Sequence, residues 1–200
     1  MGSKKYTTII SILFIILLMS TNKQKNEIFP GLVPAPAYIE FVDSKLQIEE
    51  TIRLDYNPKD KNLNNMIRLA KSELSDIGYK PSDSNSKQEQ TRLSIRVDQN
   101  ISESPESYRL KIDPQGIEIT GSDHAGTFYG IQTLLQILET SKIENVPTVK
   151  SMIIEDSPRF KWRGMLLDVA RHMFPTDFIK RYIDIIAAHK RSEEHTSELQ

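Results

Sequence analysis

The chain has 200 residues, no cysteine, and 26 basic against 27 acidic side chains, for a formal charge of −1. Disulfides, thiolate metal sites and cysteine nucleophiles are thereby excluded, and basic residues scattered along the chain form no phosphate-binding patch, so nucleic acid is not an expected partner. With 38% hydrophobic and 26% charged residues, most of the chain should fold, into one or two domains.

Residues 1–22 read as an export signal. Lys4 and Lys5 form a positive head, and Ile9 to Met19 (IISILFIILLM) form an apolar run of the length such signals use. The run falls short of the roughly 20 residues of a membrane span; an uncleaved N-terminal anchor is the alternative. In either case the mature protein is expected to be exported, periplasmic or extracellular, with no stable membrane span after signal cleavage. A domain with a large core needs no disulfides, so the lack of cysteine is compatible with export.

A polar spacer occupies 23–29, and the proline-containing FPGLVPAP string opens a first unit over 30–150. Tyr38 to Ile52 predicts two short strands joined by a turn at Asp43-Ser44. Leu63, Met66, Ile67, Ala70, Leu74 and Ile77 recur at helical spacing, with Gly78 where a C-terminal cap belongs and Pro81 blocking continuation. Residues 81–90 read as a polar loop. Thr91–Val97 alternates as a half-buried strand, and Ser107–Asp113 and Ile117–Ile119 flank a Pro114-Gln115-Gly116 turn as a hairpin. Ser122 or Asp123 can cap a helix from His124 to Glu139 whose apolar stripe is Phe128, Ile131, Leu135 and Leu138. Within it, Gly126 and Gly130 permit a close approach to a neighbour. The sum is an α+β unit, an antiparallel sheet carrying two helices.

A second unit, 151–190, holds an apolar strand over Trp162–Asp168 and a helix opened by Pro175-Thr176-Asp177, with Thr176 as its cap and Ile179, Tyr182, Ile183 and Ile186 as its buried face. The string Arg163 to Phe174, RGMLLDVARHMF, is unusual for a plain core strand. Charged groups bracket it: Arg163 at its start, then Asp168, Arg171 and His172 at its end. Such crowding is how an α/β barrel builds a site; the alternative is a structural salt-bridge cluster. Arg163 and Asp168 lie five positions apart, so an ideal strand points them to opposite faces. The histidines His124, His172, His189 and His195 show no metal-binding spacing, so neither a metal nor a cofactor is expected.

These segments resemble glycoside hydrolase family 20, the β-N-acetylhexosaminidases. SYRLKIDPQGIEITGSDHAGTFYGIQTLLQIL is similar to the accessory domain that precedes the barrel in that family, PRFKWRGMLLDVARHMFP to its first barrel strand, and Asp156 to Phe160 to the segment joining them. The resemblance implies an accessory α+β domain followed by the truncated start of a (β/α)8 barrel, and N-acetylhexosamine-terminated glycans as partners. It implies Arg163 as a contact to sugar hydroxyls, suited by its fork of donors, with Asp168, Arg171 and His172 in supporting roles. It also implies a retaining reaction in which the substrate's own acetamido group attacks the anomeric carbon while a glutamate protonates the leaving oxygen. That glutamate and the aspartate before it would lie beyond the matched segments; Glu49-Glu50 and Glu193-Glu194 have no matching context, so no catalytic residue is assigned within the chain. Arg191 to Gln200 is similar to a DNA-sequencing adapter translated in frame and is set aside from fold expectations. The competing reading of function is a non-catalytic carbohydrate-binding or interaction module.

Overall fold

The computed structural model describes residues 31–83 and 89–196. The export signal over 1–22, the spacer over 23–29, part of the 81–90 loop and the last residues of the set-aside tail lie outside the described residues.

The first unit is a seven-stranded sheet with two helices packed side by side on it. Its strands are β1 (Tyr38–Gln47), β2 (Thr51–Asp55), β3 (Lys80–Ser82), β4 (Thr91–Val97), β5 (Tyr108–Asp113), β6 (Gly116–Gly121) and β7 (Thr148–Asp156). Helices α1 (Lys61–Ile77) and α2 (His124–Ile143) follow β2 and β6. The order across the sheet is β1-β7-β5-β6-β4-β2-β3.

Half of the sheet departs from the antiparallel expectation. The β1–β7, β7–β5 and β5–β6 pairs are antiparallel, whereas β6–β4, β4–β2 and β2–β3 are parallel. The cause is α1. A helix joining two neighbouring strands returns the chain to the same end of the sheet, so β2 and the edge strand β3 run parallel, and β4 enters on the other side of β2 in the same direction. The expected turn at Asp43-Ser44 is a bulge instead. Phe41 pairs with Met152 and Lys45 with Lys150, so β1 continues along β7 with extra residues pushed out of the ladder. β2 then starts on the far side of the sheet. Pro81, expected in a loop, sits in β3 at the sheet edge, where its missing N–H costs no ladder bond. β7 runs across the 150/151 division and is hydrogen-bonded on both sides within the first sheet.

Both helices form where expected, for the expected reasons. The Asp60 side chain accepts hydrogen bonds from the Asn62 and Leu63 amides at 3.0 Å, and Gly78 closes α1 in the left-handed region at φ 98°. The Asp123 carboxylate accepts from Gly126 N at 2.8 Å at the start of α2. α2 buries far more than its predicted stripe: Tyr129, Gln132, Thr133, Leu134 and Ile137 are covered as well. Its glycines make this possible. A Cβ on Gly126 would lie 2.0 Å from the Ser107 carbonyl, and one on Gly130 2.7 Å from Ile119 Cγ2. Leu93, Ile95, Leu110, Ile117, Ile119 and Ile154 fill the space beneath the helices.

The second unit is β8 (Gly164–Leu167), α3 (Thr176–Ala188) and β9 (Glu193–Thr196), with β8 and β9 paired in parallel. β8 is shorter than the predicted strand. Thr176 does not cap α3: Pro175 occupies that position and no side chain caps the helix. Of the predicted buried face of α3 only Ile186 is buried, and Ile183 is 47% exposed. The tail set aside from fold expectations supplies β9, because an open strand edge pairs through backbone groups whatever the side chains.

Candidate functional site

The carboxyl end of β8 closes into a tight turn. Asp168 accepts hydrogen bonds from the Ala170 and Arg171 amides, both at 3.1 Å, and from Arg171 Nε. This carboxylate thus holds the backbone turn and one edge of the guanidinium together. Arg171 is otherwise exposed, its side chain 89% accessible, and its guanidinium carries Nη donors besides the Nε held by Asp168. His172 packs edge-on against Phe174 with ring centroids 4.8 Å apart, and Phe174 stacks on Phe178 at 4.7 Å. Asp168, Arg171 and His172 therefore gather at one strand end, the end at which barrel enzymes carry their sites.

Arg163 is at the other end. It precedes β8, and five strand positions span roughly 16 Å, so the strand itself separates it from Asp168. The β8 register is unbroken, with no bulge to bring the two together. Nor is the Arg163 fork open. Nη2 donates to Glu106 Oε2 at 2.6 Å and to the Tyr129 hydroxyl at 2.9 Å, Nη1 to the Phe160 and Lys161 carbonyls at 2.7 and 3.3 Å, and Nε to the Lys190 carbonyl at 2.9 Å. Every N–H of the group has a partner in the chain, and its side chain is only 12% exposed. As placed, it has no donor left for a sugar hydroxyl. Arg163 stands in a salt-bridge cluster ahead of the strand, and Asp168, Arg171 and His172 stand at its other end.

A second buried cation stands beside it. Lys190 Nζ donates to the Tyr108 hydroxyl at 2.8 Å and reaches Asp156 Oδ2 at 3.2 Å, while the Tyr108 hydroxyl also bonds to Thr133 Oγ1 at 2.7 Å. Burial lowers the Lys190 amine from its ordinary value, opposed by the Asp156 charge. Burial, with the same carboxylate, pushes the Tyr108 hydroxyl up. These groups left little signal in the sequence. Tyr108 and Tyr129 lie in apolar periodic segments and read as core, and nothing local links Glu106 or Lys190 to residues dozens of positions away. The available signal was the concentration of charge at the junction, with Asp156 ahead of a proline and Lys190 just after an amphipathic helix.

Two hollows lie elsewhere. One, of about 370 Å³, sits over the carboxyl ends of β2 and β4 among Tyr56, Asn57, Asp60 and Arg96. The other, of about 310 Å³, lies between α1, α2 and α3, where burial and the Asp184 charge raise the Glu73 carboxyl. Neither includes the β8 turn. Among the described residues no cluster of His, Asp and Glu could hold a metal ion.

Comparison with known proteins accounts for both units. The profile of glycosyl hydrolase family 20, domain 2, matches residues 29–157, and that of the family 20 catalytic domain matches 160–196. A beta-hexosaminidase of Porphyromonas gingivalis is 33% identical over 178 residues, covering 82% of this chain but 22% of the relative. An N,N'-diacetylchitobiase of Vibrio harveyi is 34% identical over 89 residues, 44% of this chain and 10% of the relative. Among solved structures, an exo-β-N-acetylglucosaminidase of Vibrio harveyi in complex with N-acetylglucosamine superposes with a TM-score of 0.68 at 26% identity, covering 84% of this chain and 25% of that one. The β-N-acetylhexosaminidase of Bacteroides fragilis gives 0.66 at 27% identity, covering 82% and 32%. The chain thus spans a third or less of these proteins, and within that span the chain belongs to glycoside hydrolase family 20, carrying its domain 2 and the opening of its catalytic barrel.

Proposed function

We propose that these residues are part of an exported, exo-acting β-N-acetylhexosaminidase that removes terminal β-linked N-acetylglucosamine or N-acetylgalactosamine from glycans. Family membership supports the reaction class, and the named relatives are hexosaminidases and a chitobiase. The observation that carries the reading to particular residues is the β8 turn. Asp168 holds Arg171 through Nε, and the exposed guanidinium stands at the carboxyl end of a barrel strand. A fork of that kind can span two adjacent hydroxyls of a pyranose. In this reading Arg171 binds the terminal sugar, Asp168 orients Arg171, and His172 braces the turn. Arg163, expected from the resemblance to contact sugar hydroxyls, is bonded here to Glu106 and Tyr129. The reaction would follow the family's substrate-assisted retaining course, with its Asp-Glu pair supplied from outside residues 1–200. Export rests on Lys4, Lys5 and the Ile9–Met19 run alone.

The test is release of nitrophenol from p-nitrophenyl N-acetylglucosaminide by a full-length protein that contains these residues. Activity is expected there and not in purified 1–200. Arg171→Ala should lower kcat/KM by about a hundredfold or more, the scale of a lost charged contact to substrate. A full-length product without hydrolytic activity on β-linked N-acetylhexosaminides would sink the reading and leave the non-catalytic binding module.

A further inference from the structure

The hollow over β2 and β4 lies where the connections of the first sheet part. β2 leads through α1 to β3, on the side away from β4, and β4 leads through residues 98–107 to β5, on the side away from β2. A crevice at the carboxyl ends of two neighbouring parallel strands whose chains leave in opposite directions is where open sheets of this kind take ligands. The register deepens it. Asp55, the last residue of β2, pairs with Ser94, and β4 runs on to Val97 with β6 as its partner. A step three residues deep is left beyond the end of β2, and the hollow of about 370 Å³ is lined from both of its walls.

The lining is of two kinds. Leu63 and Ile95, both buried, make an apolar floor, and the half-buried Tyr56 ring packs on the core beside them, its hydroxyl without a hydrogen bond among the described residues. Around them stand polar groups with bonding capacity to spare. The exposed Arg96 guanidinium has no partner among the described residues. Asn57 accepts from Lys59 N through Oδ1 at 3.1 Å, which leaves its amide nitrogen, and Asp55 is held by Arg92 through Oδ2, at 2.7 Å. Charge narrows the ligand. The first α1 amides are already taken by Asp60, whose other oxygen meets His124 Nε2 at 2.8 Å. An anion drawn to Arg96 would therefore stand beside the Asp55 and Asp60 carboxylates, and a cation drawn to those carboxylates would stand beside Arg96. A neutral ligand with an apolar face and several hydroxyls suits both kinds of wall, and the volume is at the lower end of ligand pockets. A pyranose has both features: C–H groups for the Tyr56 ring, and adjacent hydroxyls for planar amide, carboxylate and guanidinium groups.

We propose that this hollow is a saccharide site of the accessory domain, taking one neutral pyranose residue of a glycan among Tyr56, Asn57, Asp55 and Arg96. The site rests on its own lining and topology and not on the function proposed above. Where both hold, a second point of contact on a polymeric glycan raises the concentration of that glycan at the barrel without any new contact there.

The experiment is an amide NMR titration of the 200-residue chain with N,N'-diacetylchitobiose and, beside it, cellobiose and inorganic phosphate. Saturable shifts over 55–63 and 94–98 are expected with at least one of the two disaccharides, half-complete at about 1 mM, the scale of a single ring-sized ligand. Phosphate should bind more weakly than the sugar. Arg96→Ala should weaken sugar binding about tenfold, as for loss of a charged hydrogen bond. Because Arg96 is exposed and makes no side-chain contact among the described residues, the fold is not at stake in that variant. Tyr56→Phe keeps the ring and should retain most of the affinity, whereas Tyr56→Leu should lose it. Arg109→Ala, which removes the arginine two strands away in the same row through Thr120, should leave binding unchanged. No saturable shift over these residues with either disaccharide up to about 20 mM, tighter binding of phosphate than of sugar, or equal affinity in the Arg96→Ala and parent chains overturns the proposal. Sugar-dependent shifts confined to 164–172 would also overturn it, while supporting a sugar contact at the β8 turn. Because the readout does not depend on hydrolysis, the site can fail while the glycosidase reading stands, and the reverse.

Discussion

The two units hide their apolar side chains by different means. In the accessory domain Ile52, Ile95, Leu110, Ile119, Leu138 and Ile154 have no measurable exposure, closed in by a sheet below and two helices above. In the βα unit Trp162 and Met173 are 79% exposed, Leu166 67% and Ile185 50%. The first region carries a core of its own. The second is attached by charged and hydrogen-bonded groups, and its apolar surface awaits neighbouring barrel elements. A polar junction suits that division: it joins the two units without merging them into a single core.

The sharpest way to break the comparison is to truncate one leucine from each region. Leu110→Ala empties a fully enclosed site and should cost about 2–5 kcal/mol, the range for buried leucines. Leu166→Ala should change stability by no more than about 0.5 kcal/mol, as at other exposed positions. Urea unfolding followed by far-ultraviolet circular dichroism measures both. Similar losses from both would mean that the βα unit has a core after all.

The glycines of α2 grade the accessory domain's packing next. At Gly126 a new methyl group meets the Ser107 carbonyl, a backbone atom that cannot step aside; at Gly130 it meets Ile119 Cγ2 at 2.7 Å and Tyr108 Cδ2 at 3.1 Å, side-chain atoms of enclosed residues that must give by a few tenths of an ångström. Gly126→Ala should therefore destabilise by about 3 kcal/mol or more. Gly130→Ala should cost about 1–2 kcal/mol, because roughly 1 kcal/mol of helix propensity offsets the overpacking. The order of the two thermal midpoints is the check.

How far these features could be read beforehand follows the range of the interactions. Local signals served well: Asp60, Gly78 and the 3-4 spacing of Leu63, Ile67, Ala70 and Leu74 placed α1, and Gly116 placed the β5–β6 hairpin. Strand order was not legible. The alternation in β1 and β2 is alike, and nothing in it says that one pairs with β7 and the other, across the sheet, with β4. The parallel pairing of β2 with β3 could have been anticipated from the helix between them. At the candidate site, the cluster after β8 was visible as charge against an apolar run, but an arginine at either end of that run looks equally suited to a sugar. Their partners differ. Those of Arg163 are Glu106 and Tyr129, at sequence separations of 57 and 34.

The junction should leave its mark on pH dependence. Burial raises Tyr108 above the ordinary tyrosine range, and the Asp156 charge adds to the effect. A raised folded-state value means that this contribution to stability is intact below pH 10, the unperturbed value, and is lost as pH rises beyond it. Tyr79 and Tyr129, also raised by burial, act in the same sense. Lys190 acts oppositely: its amine is lowered, so the cost of burying its charge eases as pH rises toward 10.5. Tyr38 and Lys111 are raised as well, by Glu40 and Asp113, so four tyrosines and Lys111 against Lys190 should give a net alkaline loss beginning near pH 10. Tyr108→Phe should be less stable than the parent at neutral pH but show a shallower alkaline decline. An equally steep decline would remove Tyr108 from the account.

The smallest expected effect sets the floor for the comparison. Arg109 and Glu155 pair at 3.1 Å across β5 and β7, close in sequence to Tyr108 and Asp156, yet their side chains are 54% and 51% exposed. Water screens the pair, and holding two long side chains together costs entropy, so it should contribute no more than about 0.5 kcal/mol. Glu155→Gln should accordingly move the urea midpoint barely beyond error. Adjacent in sequence to the buried Tyr108 and Asp156 but turned to solvent, it separates burial from proximity. A loss here as large as that from Tyr108→Phe would show that any change in this part of the sheet costs stability, and burial would no longer be needed to explain the contribution of Tyr108.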